Sequence, residues 1–115
     1  MIEFDRSFIH EARPPAFKPG DIIHHRKYGY RGVIVERDAK CLASKEWYRS
    51  NQSQPNRDQP WYHVLVHGGP QTTYVAEENI EFDSTGQPVM HPMIEVFFRG
   101  YLDGAYVRND RPWPR

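Results

Sequence analysis

A chain of 115 residues sits near the commonest domain size and is too short for two independent cores. Hydrophobic residues make up 38% and aromatic residues 14%, so a small core built from large rings is expected. Fifteen Lys plus Arg balance fifteen Asp plus Glu, which speaks against a protein that holds nucleic acid mainly by counterion release. The single cysteine, Cys41, excludes an intramolecular disulfide. With no signal-like opening and no apolar run of bilayer length, a cytoplasmic protein without a membrane partner is expected. Charge is nevertheless unevenly placed. Between Lys18 and Lys40 six basic residues face three acids, whereas Glu77 to Asp83 carries four acids and no base.

Residues 1–16 mix charge with Phe4, Phe8 and Ile9 and stop at Pro14-Pro15, which reads as an N-terminal tail. The stretch FKPGDIIHHRKYGYRGVIV, Phe17 to Val35, organises the rest of the chain. Two β-branched runs, Asp21 to Arg26 and Arg31 to Glu36, flank Tyr28-Gly29-Tyr30, with Gly32 just inside the second run. That pattern predicts a β-hairpin whose turn needs glycine torsions. With period two, Val33 and Val35 share one face and Ile34 and Glu36 the other.

Residues 39–59 form a long polar loop with Trp47 and Tyr48 in the middle. Ser44 is placed to cap one helical turn that pins Trp47 to the body of the domain, and Asn51 to Asp58 has the composition of a mobile loop. Pro60 to His67 is the clearest strand, with Tyr62, Val64 and Val66 on one face and Trp61, His63, Leu65 and His67 on the other. Gly68-Gly69-Pro70 turns the chain into a fourth strand, Thr72 to Ala76, and Ile80 to Phe82 makes a short fifth. Five short strands with tight turns predict a mainly β fold, a small closed five-stranded barrel without exposed edges. Ile94, Phe97, Phe98, Tyr101 and Leu102 then fall on one helical stripe, predicting a C-terminal helix that covers a barrel opening or makes a homo-oligomer contact. Gly104 is its expected stop, and residues 105–115 are expected to be a loose tail. The barrel domain is thus bounded at 17–104.

The basic and aromatic hairpin tip, Arg26, Lys27, Tyr28, Tyr30 and Arg31, is the best candidate surface, with Trp47 and Trp61 beside it. Arginine and lysine hold phosphates while tyrosine faces stack on bases, a pairing used by small barrels on nucleic acid. The competing reading packs both tyrosines across the hairpin and leaves the charges as solvation. His24, His25, His63, His67 and His91 with Cys41 raise a metal site, but no Cys-x-x-Cys or His-x-x-x-His unit occurs. Cys41 lacks a recognisable base for nucleophilic work, and Glu77-Glu78 reads as a turn rather than a catalytic carboxylate pair. Neither a catalytic residue nor a metal or other cofactor is therefore expected.

The blocks YGYRGVIVERD (Tyr28 to Asp38), PWYHVLV (Pro60 to Val66), TYVAEENI (Thr73 to Ile80) and His91-Pro92 occur in an order and spacing that resembles the YccV-like family. This is the hemimethylated-DNA-binding or heat shock protein Q family, and the likeness spans Phe17 to Leu102. The long loop carrying Trp47 and both tails resemble the broader domain family rather than the enterobacterial heat shock protein. The resemblance implies an SH3-like barrel without catalytic activity. It implies one of two roles: binding double-stranded, hemimethylated DNA, or acting as an adaptor that promotes degradation of selected proteins by an ATP-dependent protease. Similar modules occur in protease adaptors and F-box proteins. The near-zero net charge favours the adaptor role, and the local basic excess favours DNA.

Overall fold

The middle of the domain's central strand, with Val33, Ile34 and Val35 all 0% exposed, has no solvent face. A run of consecutive β-branched apolar residues reads this way when a sheet is covered on both sides. The computed structural model, which describes residues 14–115, shows how both covers are built. Five strands form one antiparallel sheet: β1 (Ile22–His25), β2 (Arg31–Asp38), β3 (Trp61–Val66), β4 (Thr72–Ala76) and β5 (Ile80–Phe82). Their spatial order is β4-β3-β2-β1-β5. On one face Phe17, Ile23, Ile34, Tyr62, Val64, Val75 and Ile80 pack together. On the other, Ile22, Val33, Val35 and Leu65 pack beneath Val89, Phe97, Phe98 and Tyr106, with Trp113 against them.

All five expected strands are present, but they do not close a barrel. β4 and β5 end the sheet as its two edges and are joined by a 3-10 turn, Glu77–Asn79, rather than by a ladder. The segment expected as a C-terminal helix also differs. One helical turn (Ile94–Phe97) gives way at Phe98 to β6 (Phe98–Leu102), which pairs with β7 (Ala105–Arg108). The overlooked signal is Asp103-Gly104, whose φ angles of 52° and 82° are those of a two-residue hairpin turn. Gly100 further weakens helix. Tyr101 and Leu102, expected on a buried stripe, are 40% and 67% exposed.

The last residues are built in as well, where a loose tail was expected. β2 carries a bulge between Ile34 and Glu36, so Val35 lies outside the regular pairing with β3. Arg108 donates from Nε to the Val35 carbonyl (2.9 Å) and from a terminal nitrogen to the Phe97 carbonyl (3.0 Å). One side chain thereby satisfies the bulge and fastens β7 to the sheet. Trp113 packs on Phe97 and His63, and Arg115 donates to the buried carboxylate of Asp38 at 2.6 Å. Most of the expected N-terminal tail, residues 1–13, lies outside the described residues.

Gly20 sits where β7 meets the entry to β1. Its amide donates to the Ile34 carbonyl (2.7 Å) and its carbonyl accepts from the Tyr106 amide (2.9 Å). Its φ is +101°, and a Cβ there would stand 2.1 Å from the Tyr106 carbonyl oxygen. Gly20→Ala is therefore expected to destabilise the fold by about 2–3 kcal/mol through left-handed strain and backbone overlap. Chemical denaturation at equilibrium would check this, and Gly69→Ala, where open space surrounds the position, is the neutral control.

A candidate recognition cleft

The β1–β2 turn is set by one histidine. His25 is buried, and its Nδ1 accepts from the amides of Lys27 (3.1 Å) and Tyr28 (3.0 Å). The turn closes through the His25 amide on the Tyr30 carbonyl (2.8 Å), with Gly29 at φ +76°. These bonds bring Tyr28 onto the imidazole, stacked at 4.6 Å between centroids, with Tyr30 at 5.0 Å. Tyr30 then reaches Thr73 on β4, hydroxyl to hydroxyl at 2.8 Å. Gly32, by contrast, makes no turn. It lies within β2, where a Cβ would come within 2.6 Å of the Leu65 carbonyl oxygen.

The long loop supplies the opposite wall. Ser44 caps a short helix (Lys45–Ser50) by accepting from the Trp47 amide at 3.1 Å, as its sequence predicts. Trp47 consequently packs edge-on to Trp61 (6.2 Å) and against Tyr74 (5.6 Å). The stretch after this helix, expected to be mobile, is tied down: Tyr48 donates to the carbonyls of Gln54 and Pro55, and Arg57 to those of Cys41 and Ala43. Arg57 also lies over the Tyr48 ring at 5.0 Å.

Between hairpin tip and loop runs a cleft of about 590 Å³, floored by every residue of β4. Tyr28, Tyr30, Trp47, Trp61 and Tyr74 give it aromatic walls, and the Tyr28 hydroxyl spans it to Gln52 at 3.4 Å. Sixteen residues line it, and none is Asp, Glu, Lys or Arg. Its two histidines favour the neutral state. Burial, then His24 and Lys27, lowers the pKa of His25. Burial also lowers that of His63, against the opposing pull of Asp38 at 3.4 Å. Beneath Tyr74 the buried Asp38 stays charged. Burial works against this, but Arg115 and the Tyr74 hydroxyl, which donates at 2.6 Å, hold its pKa below the ordinary carboxylate value.

Four of the seven expected site residues, Tyr28, Tyr30, Trp47 and Trp61, therefore meet in one cleft. The three cations stay outside its lining. Arg26 pairs with Glu81 (3.3 Å) and donates to the Ile80 carbonyl. Arg31 lies 3.1 Å from the buried carboxylate of Asp83 and donates to the Gln87 carbonyl. Lys27 makes no ion pair among the described residues. Sequence reasoning missed Tyr74, Thr73 and Gln52 as cleft residues; the signal for the first two was an aromatic residue set among threonines in β4, and Gln52, in the long loop, carried none. The other described histidines serve local bonds. His24 meets Glu81, His67 accepts from Met90, and His91 accepts from Met93.

Sheet and cleft together define the class: a small, mainly β domain with one uncharged aromatic cleft. The model of the family described as hemimethylated DNA-binding protein YccV like matches residues 15–105, and the chain belongs to that family. It is also similar to F-box only protein 21 of Pongo abelii and of Homo sapiens, at 34% identity over 100 residues, and to that of Mus musculus at 33%. The matched region covers 84% of this chain and 16% of each relative, so the chain spans a small part of the curated relatives' length.

The two neutral histidines give the fold a pH dependence of defined sign. Each pKa is lower in the folded chain than the ordinary histidine value of 6.5, so the stabilisation is present above that pH and lost as pH falls through the folded values. The Tm is expected to drop between about pH 7.5 and about pH 5, across the range where histidine titrates. His25→Asn keeps an acceptor without the titration, so its Tm is expected to fall less over the same range. An identical fall in both proteins contradicts the assignment of His25.

Proposed function

We propose that this chain is a noncatalytic recognition module, SH3-like in scaffold, that binds a protein segment and serves as an adaptor in selective protein degradation in the cytoplasm. The observation that carries the reading is electrostatic. The cleft is uncharged, while of the hairpin cations Arg31 is committed to the buried Asp83 and Arg26 shares an exposed bridge with Glu81. Releasing Arg31 for a phosphate leaves Asp83 buried without its partner, at a cost of several kcal/mol. The naming of its relatives as F-box proteins supports a place in ubiquitin-ligase machinery rather than with a particular protease.

DNA binding is the second reading. It is favoured by the family's description and by the ammonium of Lys27 at the exposed tip, which has no ion pair among the described residues. The two readings separate in one comparison of hemimethylated, fully methylated and unmethylated duplexes at about 50 and about 200 mM salt. The adaptor reading expects weak binding, equal for the three duplexes and abolished at the higher salt, with proximity labelling by the full chain recovering ubiquitin-ligase subunits. A hemimethylated duplex held about tenfold more tightly than the others at both salts, with no such subunits recovered, contradicts it.

A further inference from the structure

The two edges of the five-stranded sheet are finished differently. At β5 the outward Ile80 amide bonds the Glu77 carbonyl, and the Ile80 carbonyl accepts from Arg26 Nε at 3.2 Å. Phe82, the remaining outward residue, lies against Phe17 at 4.8 Å. That edge is blunted by its own neighbours.

β4 is covered only toward Ala76, which is buried with Cys41 and Trp61 under the long loop. Its pairing with β3 is continued at either end by the Val66 amide on the Gln71 carbonyl and by the Glu77 amide on the Pro60 carbonyl. Hydrogen-bonded pairs alternate along an antiparallel ladder, so Gln71, Thr73, Val75 and Glu77 face β3. Thr72, Tyr74 and Ala76 face outward. The Ala76 carbonyl is taken by the first bond of the 3-10 turn. The amides and carbonyls of Thr72 and Tyr74 are left without a protein partner among the described residues, whereas Ala76 is 0% exposed and closed to an added strand.

These four groups belong to two residues that line the aromatic cleft. We propose that an extended, uncharged peptide segment of a partner protein adds to the free edge of β4 as a sixth strand, its side chains entering alternately between the tyrosines of the hairpin tip and Trp47. This deepens the adaptor reading and rests on it. The row of donors and acceptors supplies a template for main-chain pairing, and the flanking rings supply side-chain pockets. The absence of any Asp, Glu, Lys or Arg from the lining disfavours a charged segment, whose ions would be desolvated without partners. Phosphate-bearing strands are disfavoured on the same ground.

The probe is a phage-displayed random dodecapeptide library selected on the full chain, followed by calorimetry with synthetic peptides. Selected sequences are expected to be poor in charge and to alternate aromatic or β-branched residues. N-methylation of the peptide is expected to abolish binding at every second amide and to leave the intervening amides tolerant. Thr72→Pro deletes an outward amide without deleting a ladder bond, so it is expected to weaken binding about tenfold or more at unchanged Tm. Charged or proline-rich selected sequences, indifference to N-methylation, or failure of the library to yield a binder overturns the proposal. So does a dimer in sedimentation that Thr72→Pro dissolves, since the edge is then filled by a second copy. Peptides that bind without regard to β4 overturn it too, while leaving the adaptor reading in place. Recovery of no ubiquitin-ligase subunit, with peptide binding sensitive to Thr72→Pro, fails the adaptor reading alone.

Discussion

Everything in this domain depends on a central strand whose middle, Gly32 to Val35, has no face to give to solvent. With Val33, Ile34 and Val35 fully buried, the sheet must be covered twice. One cover is the sheet's own curvature around Tyr62 and Ile34, and the other is the C-terminal hairpin with Phe97, Phe98 and Tyr106. Gly20 and Arg108 are the two fasteners of the second cover. The first acts by having no Cβ, the second by occupying the carbonyl that the β2 bulge releases. The C-terminal residues are accordingly part of the core rather than an appendage to it.

The same distribution of partners separates scaffold from site. Arg26 and Arg31 look free in sequence but hold β5 and the 83–87 turn in place through Glu81 and Asp83. Asp83 has its pKa lowered despite burial, because Arg31 and Thr85 bond its charged form. Among the described residues, main-chain groups without a partner remain along the outer edge of β4, beside aromatic walls. A cleft of rings, amides and neutral imidazoles is suited to recognising backbone and apolar side chains, and poorly suited to neutralising phosphates.

Much of the fold was legible because strand periodicity is a local property. The five strands of the main sheet, the Ser44 cap and the two faces of β2 come from residue alternation and turn chemistry. What misled was equally local. Ile94, Phe97, Phe98, Tyr101 and Leu102 satisfy a helical stripe, yet Asp103-Gly104 dictates a hairpin that starts at Phe98. Barrel closure was not legible, since whether β4 meets β5 depends on what the 3-10 turn and long loop place between them. At the site, the aromatic residues were readable by type. The commitment of the arginines was not, since Glu81 and Asp83 lie about fifty positions away in the chain.

Recognition by this domain turns on the open edge of β4, and amide hydrogen exchange of the free protein measures that edge residue by residue. Thr73 and Val75, bonded into β3, are expected to exchange slowly, whereas Thr72 and Tyr74 exchange fast, giving alternating protection along the strand. Thr72 and Tyr74 amides as slow as those of Thr73 and Val75 would show the edge already filled, and would contradict strand addition at β4.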